Sequence, residues 1–119
     1  KMIPKYINVA CITKENRNNM IDYAVSCINS GSGWVMNHTM FSNAAICINF
    51  EIEAKDVGKL LKRLNTNGLS LIKESIDLAE NFSQNIEEKY KEKEIIGAIN
   101  ITFVHNDPDL IIKAPAVPG

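Results

Sequence analysis

The stretch A-A-I-C-I-N-F-E-I-E-A-K-D-V-G-K-L-L-K-R-L, residues 44–64, changes its hydrophobic period once, and that change decides the fold. Up to residue 52, Ile46, Ile48, Phe50 and Ile52 alternate with Ala45, Cys47, Asn49 and Glu51. Period two with β-branched residues is a strand carrying one core face and one wetter face. Glu53-Ala54-Lys55-Asp56 then opens a helix. Val57, Leu60, Leu61 and Leu64 fall at i, i+3, i+4 and i+7, while Lys59, Lys62 and Arg63 lie on other faces. Asn67-Gly68 stops it.

Working outward toward the N-terminus, residues 34–41 read as a strand joined to this one through a tight turn at Ser42-Asn43, with Asn43 suited to positive φ. Before it, Ile21, Ala24, Val25 and Ile28 form a helical stripe, and Ser30-Gly31-Ser32-Gly33 ends that helix with Gly31 placed for a left-handed cap. Residues 6–12, with Ile7, Val9 and Cys11 on one face, read as a first strand.

Toward the C-terminus, residues 69–76 read as a further strand. Leu78, Phe82, Ile86 and Tyr90 recur every four residues through residues 77–93, which suits a helix or an extended hairpin loop. Ile95, Ile99, Ile101 and Phe103 share one side of a last clear strand opposite Ala98, Asn100 and Thr102, with Gly97 as a candidate bulge. Asn106-Asp107-Pro108-Asp109 reads as a turn. The tail, with Pro115 and Pro118, reads as extended surface or edge chain.

The order strand, helix, strand, strand, helix, strand predicts an α+β domain. It is the ferredoxin-like βαββαβ sandwich, an antiparallel sheet with helices on one face, plus an additional C-terminal strand. The chain of 119 residues reads as one domain, residues 77–119 being a C-terminal extension that contributes that strand and the tail. The reverse of the sheet, carrying Ala45, Cys47, Asn49, Asn100 and Thr102, is semi-polar and free for a partner. With uncovered strand edges, this favours a homo-oligomer, most simply a two-fold dimer.

Thirteen Lys and Arg against fourteen Asp and Glu give a net charge of -1. Such a balance gives no electrostatic footprint for nucleic acid or an anionic membrane, and the lysines read as spread out except for the mixed run Glu87 to Glu94. No apolar run is long enough to cross a bilayer and no signal-peptide pattern opens the chain. Three cysteines, Cys11, Cys27 and Cys47, sit in apolar segments and read as reduced thiols of a cytoplasmic protein.

From residue 7 to residue 76 the pattern resembles an ACT-type regulatory domain. The carrying features are the first strand, the polar loop Thr13-Lys14-Glu15-Asn16-Arg17-Asn18-Asn19, the turn Ser30-Gly31-Ser32-Gly33, the hairpin, and a helix with Leu60-Leu61 and Leu64. The loop holds Glu15-Asn16-Arg17-Asn18 where many such domains have an Asp-Arg-Pro-Gly-like run. The resemblance implies a regulatory module that binds an amino-acid-like effector between subunits through Asn16, Arg17, Asn18 and Asn19. A helix N-terminus suits a carboxylate, and Arg17 adds a bidentate donor. The competing reading is that these asparagines only cap the helix.

His38 shares a strand face with Trp34, Met36 and Met40, and is either a ligand-binding residue or part of an interface. No group that would make it a catalytic base is visible beside it. Cys11 and Cys47 are weaker nucleophile candidates, better read as structural thiols. The run from His105 to Asp109 has ligand-type atoms without metal-site spacing, so no metal and no cofactor is expected. Two further functions stay open: a non-catalytic interaction or scaffold domain, and a small enzyme with a subunit-interface site.

Overall fold

The computed structural model describes residues 3–84 and 86–104. The elements are β1 (Tyr6–Thr13), α1 (Arg17–Asn29), β2 (Trp34–Ser42), β3 (Ala45–Glu53), a 3-10 turn (Ala54–Asp56), α2 (Val57–Leu64), β4 (Leu69–Leu71), α3 (Lys73–Gln84), a second 3-10 turn (Glu88–Tyr90) and β5 (Glu94–Phe103). The chain is a mixed α+β domain: one five-stranded sheet, in the order β2-β3-β5-β1-β4, and three helices. The turn at Asn106 to Asp109 and the tail beyond it lie outside the described residues, as does His105.

The sheet is not antiparallel throughout. β5 pairs antiparallel with β3 but parallel with β1. It stands inside the sheet, between the first strand and the hairpin, rather than at the margin. Its composition explains this. Ile95, Ile99, Ile101 and Phe103 are buried on the helix side, and Ala98 is buried on the reverse, so β5 tolerates neighbours on both edges and cover on both faces. β1 and β2 run in the same direction, and so do β3 and β4.

Gly97 is not a bulge, since β5 pairs in step with β3 and β1 on either side of it. It is a seat for the ring of Phe50, directly opposite. A Cβ there would stand 2.5 Å from Phe50 Cζ and 3.0 Å from Ile7 Cγ1. The missing side chain lets the ring lie against backbone at the centre of the sheet.

One apolar core lies between the sheet and the helices. Val57, Leu60, Leu61 and Leu64 of α2 are all buried, as their spacing predicts, each contributing about 2 kcal/mol by leaving water. α2 packs against both α1 and α3. The stripe of α1 is rotated from the expected one. Met20, Ala24, Cys27 and Ile28 are buried, while Ile21 and Val25 are half-buried. The two stripes are one residue apart around the helix, and only the neighbouring layer distinguishes them.

β4 is shorter than expected, because Ile72 leaves the sheet and α3 begins at Lys73. α3 buries Ala79 and Phe82 and ends at Gln84, so the four-residue recurrence reports a helix only over Leu78 and Phe82, while Ile86 lies beyond it and Tyr90 in the second 3-10 turn. Among the described residues only Asn67 (φ 57°) and Gly68 (φ 101°) have positive φ. They end α2 in left-handed backbone as the sequence indicates. Gly31 and Asn43 do not adopt it: α1 ends on Ser30, whose Oγ donates to the Cys27 carbonyl at 2.8 Å. Among the described residues no helix is long and apolar enough to cross a membrane.

Candidate functional site

The first loop builds a helix start. The Asn16 Oδ1 accepts the Asn19 backbone N–H at 3.0 Å, the capping bond expected of that residue type. Arg17, half-buried, donates from Nη1 to the Asn43 Oδ1 at 3.2 Å and to the Asn43 carbonyl at 3.4 Å. It ties α1 to the β2–β3 turn. The side chains of Asn18 and Asn19 are exposed beside them. Of the residues that the resemblance assigns to a ligand, two are thus engaged within the fold. The cap and the tie to Asn43 account for their chemistry without a bound molecule.

His38 is far along the sheet from that loop in register, four residues before the turn that Arg17 holds. It lies opposite Ile48 on exposed β2. It does not share a face with Trp34. A register shift between Val35 and Asn37 puts Trp34 opposite Glu51, on the reverse of the sheet, while His38 and Met40 stand opposite Ile48 and Ile46 on the helix side. The bulge consumes one residue and swaps the faces beyond it. No period-two count across residues 34–40 survives such an insertion.

Among the described residues β2 is the outer strand on this side, and its outward edge is chemically bare. Its nine residues, W-V-M-N-H-T-M-F-S, include no charge and no proline. Among the described residues four of the ten exposed large apolar side chains belong to it: Trp34 (50% exposed), Met36, Met40 and Phe41 (67%). The direction of its backbone follows from the ladder. Phe103 N–H donates to the Ala44 carbonyl and Ala54 N–H to the Lys93 carbonyl, so the even-numbered residues of β3 face β5 and its odd-numbered residues face β2. Trp34, Asn37, Thr39 and Ser42 are the partners of those odd residues. Val35, His38 and Met40 therefore turn their N–H and C=O groups outward.

The reverse face of the sheet carries small and amide side chains together with the exposed Tyr6, Ile12, Trp34 and Ile96. Asn100 Nδ2 donates to the Asn8 Oδ1 at 2.7 Å, and Asn49 Nδ2 to the Asn37 Oδ1 at 2.7 Å. At one end of this face the Glu51 carboxyl is held above its usual range, first by a hydrogen bond with Glu94 and further by that neighbour's charge. Burial pushes the Cys11 thiol up to about 12, which leaves it a packing group rather than a nucleophile. Among the described residues no group of three His, Cys, Asp or Glu side chains is placed to hold a metal ion.

Compared with family models, with curated proteins and with solved structures, the chain matches none. Its function has to be read from its own surfaces. Reading the sequence residue by residue passes over the β2 edge, because its signal is a property of the whole strand: nine consecutive residues without a gatekeeping charge or proline.

Proposed function

We propose that this chain is a non-catalytic assembly module that joins a second copy of itself edge to edge through β2. The observation that carries this reading is the outward-facing, uncharged backbone of Val35, His38 and Met40. An unpaired strand edge is a template for another strand, and proteins that stay monomeric blunt such edges with Lys, Pro, short strands or a covering element. Both register irregularities of β2 lie outside Asn37–Met40, so a regular run remains between them. A two-fold axis through Thr39 sets His38 opposite the second copy's Met40 and Met40 opposite its His38, a self-complementary contact that closes on a dimer.

The domain behind that edge is read as a ferredoxin-like sandwich widened by one strand. Without β5 the order is β2-β3-β1-β4, and each β-α-β unit is split by one strand of the other. The ACT-type reading shares this frame and also requires subunit contact. It asks more of Asn16 and Arg17, which already bond to the Asn19 N–H and to Asn43.

Sedimentation of the chain tests the proposal. Dimers are expected for the wild type and monomers for His38→Pro, which removes an outward N–H without touching the β2–β3 ladder. His38→Ala, which keeps that N–H, should remain dimeric. A wild-type chain that stays monomeric at high micromolar concentration overturns the reading.

A further inference from the structure

The charge balance of the chain conceals a local imbalance. Lys55, Lys59 and Lys62 stand at i, i+4 and i+7 through the 3-10 turn and α2, which places them on one side of that helix. Between α2 and α3 they line a groove of about 380 Å³ together with Lys91, Gly58, Phe82 and Ile86. Four lysines and no carboxylate line it. Lys91 arrives from a different part of the chain, because Lys55 N–H donates to the Lys91 carbonyl at 2.9 Å and pins that segment against the start of α2.

The surrounding carboxylates offset only part of this charge. Glu53 approaches Lys55 at 3.4 Å and Glu88 approaches Lys91 at 3.1 Å. Asp56 accepts the Ser32 N–H, and its carboxyl is held below its usual range first by Ser32 and then by the charges of Lys55 and Lys59. Among the described residues Lys59 and Lys62 have no ion-pair partner. Four like charges around one concavity repel one another and focus a positive potential into it. The walls include the apolar side chains of Phe82 and Ile86, and the size falls in the range of small-molecule sites.

We infer that the groove between α2 and α3 is a binding site for an organic phosphate of nucleotide size, its phosphates held by Lys55, Lys59, Lys62 and Lys91 and its apolar part laid against Phe82 and Ile86. The phosphates supply the charge that the lysines lack. The apolar wall selects an organic phosphate over a bare inorganic one. The site is on the helical layer and does not depend on pairing at β2.

Calorimetric titration with ATP, inorganic triphosphate and adenosine tests it on the full chain. ATP should bind, triphosphate more weakly, and adenosine not measurably. Replacing Lys59 and Lys62 together by Gln should weaken ATP by at least about tenfold, given the worth of a hydrogen bond to a charged group. Lys14→Gln with Lys73→Gln, equal in charge lost but away from the groove, should leave it unchanged. Absence of ATP binding at millimolar concentration overturns the inference. So does equal affinity for ATP and triphosphate, or equal loss in the two double variants. A circular-dichroism melt of each variant separates loss of binding from loss of fold.

Discussion

The two edges of the sheet are finished in opposite ways. At β4 the strand is three residues long, and where it stops the neighbouring strand's backbone is still served. Ile72 N–H donates to the Ala10 carbonyl at 3.0 Å, and the Ala10 N–H donates to the buried Ser75 Oγ at 2.9 Å. The first turn of α3 thus continues the ladder with a side chain after the strand has ended. At β2 the strand is nine residues long, uncharged, and among the described residues has one neighbour. Among the described residues one edge is closed by a following element and the other carries no second neighbour. A long, uncharged edge is an aggregation hazard unless it has a defined partner, which is why the contrast points to function rather than to stability.

The largest effect should come from the seam that holds both edges in one sheet. Gly97→Val drives a branched side chain into the space of the Phe50 ring and should cost about 3 kcal/mol. Denaturant melts would read the loss, and amide exchange at both edges should accelerate together. Exchange that rises at one edge alone would show that the edges are separate units.

Ser75→Ala should come next. It leaves the Ala10 N–H without its acceptor and should cost about 2 kcal/mol, with the Ala10 amide exchanging faster while β2 is unaffected. That result would convert the finished edge into an open one. Unchanged exchange at Ala10 would mean that something other than Ser75 covers β1 beyond the end of β4.

Phe41→Lys acts on the other edge. The side chain is two-thirds exposed, so monomer stability should change by less than about 0.5 kcal/mol while association in sedimentation is lost. If the substitution destabilises the monomer instead, the edge serves the fold and not a partner.

The smallest effect concerns how β2 is launched. Just before the strand the Ser32 side chain, and then the Ser32 N–H that Asp56 accepts, hold the Asp56 carboxyl below the ordinary value of 3.8. A depressed value in the folded state means that the contribution is present above pH 3.8 and is lost as pH falls through the folded value. Acid titration followed by exchange at Ser32 should show early fraying there, absent in Asp56→Asn. The carboxyl is only half-buried, so solvent screening keeps the effect on global stability slight.

Much of this was readable from the chain. The alternation at Ile46 to Ile52, the stripe Val57/Leu60/Leu61/Leu64 and the stop at Asn67-Gly68 all appear where their periods put them. The first loop was legible as a cap, and Asn16 is one. The bulge at residue 36 was not, and it misassigned the face of Trp34 relative to His38. The lysine spacing on α2 was visible, but Lys91 joins it only through a backbone hydrogen bond between segments distant in sequence.

The sequence alone therefore determined the kind of each element and which of its residues seek the core, because hydrophobic period belongs to contiguous residues and needs no neighbour to define it. Only the tertiary structure decided that β5 enters between β1 and β3, that β1 is covered by Ser75 where β4 ends while β2 has one neighbour among the described residues, and that four lysines meet in one groove. Closing a longer loop costs little more than closing a shorter one, so connectivity hardly ranks the possible strand orders. Packing chooses among them, and here it chose the order that seats the Phe50 ring on Gly97.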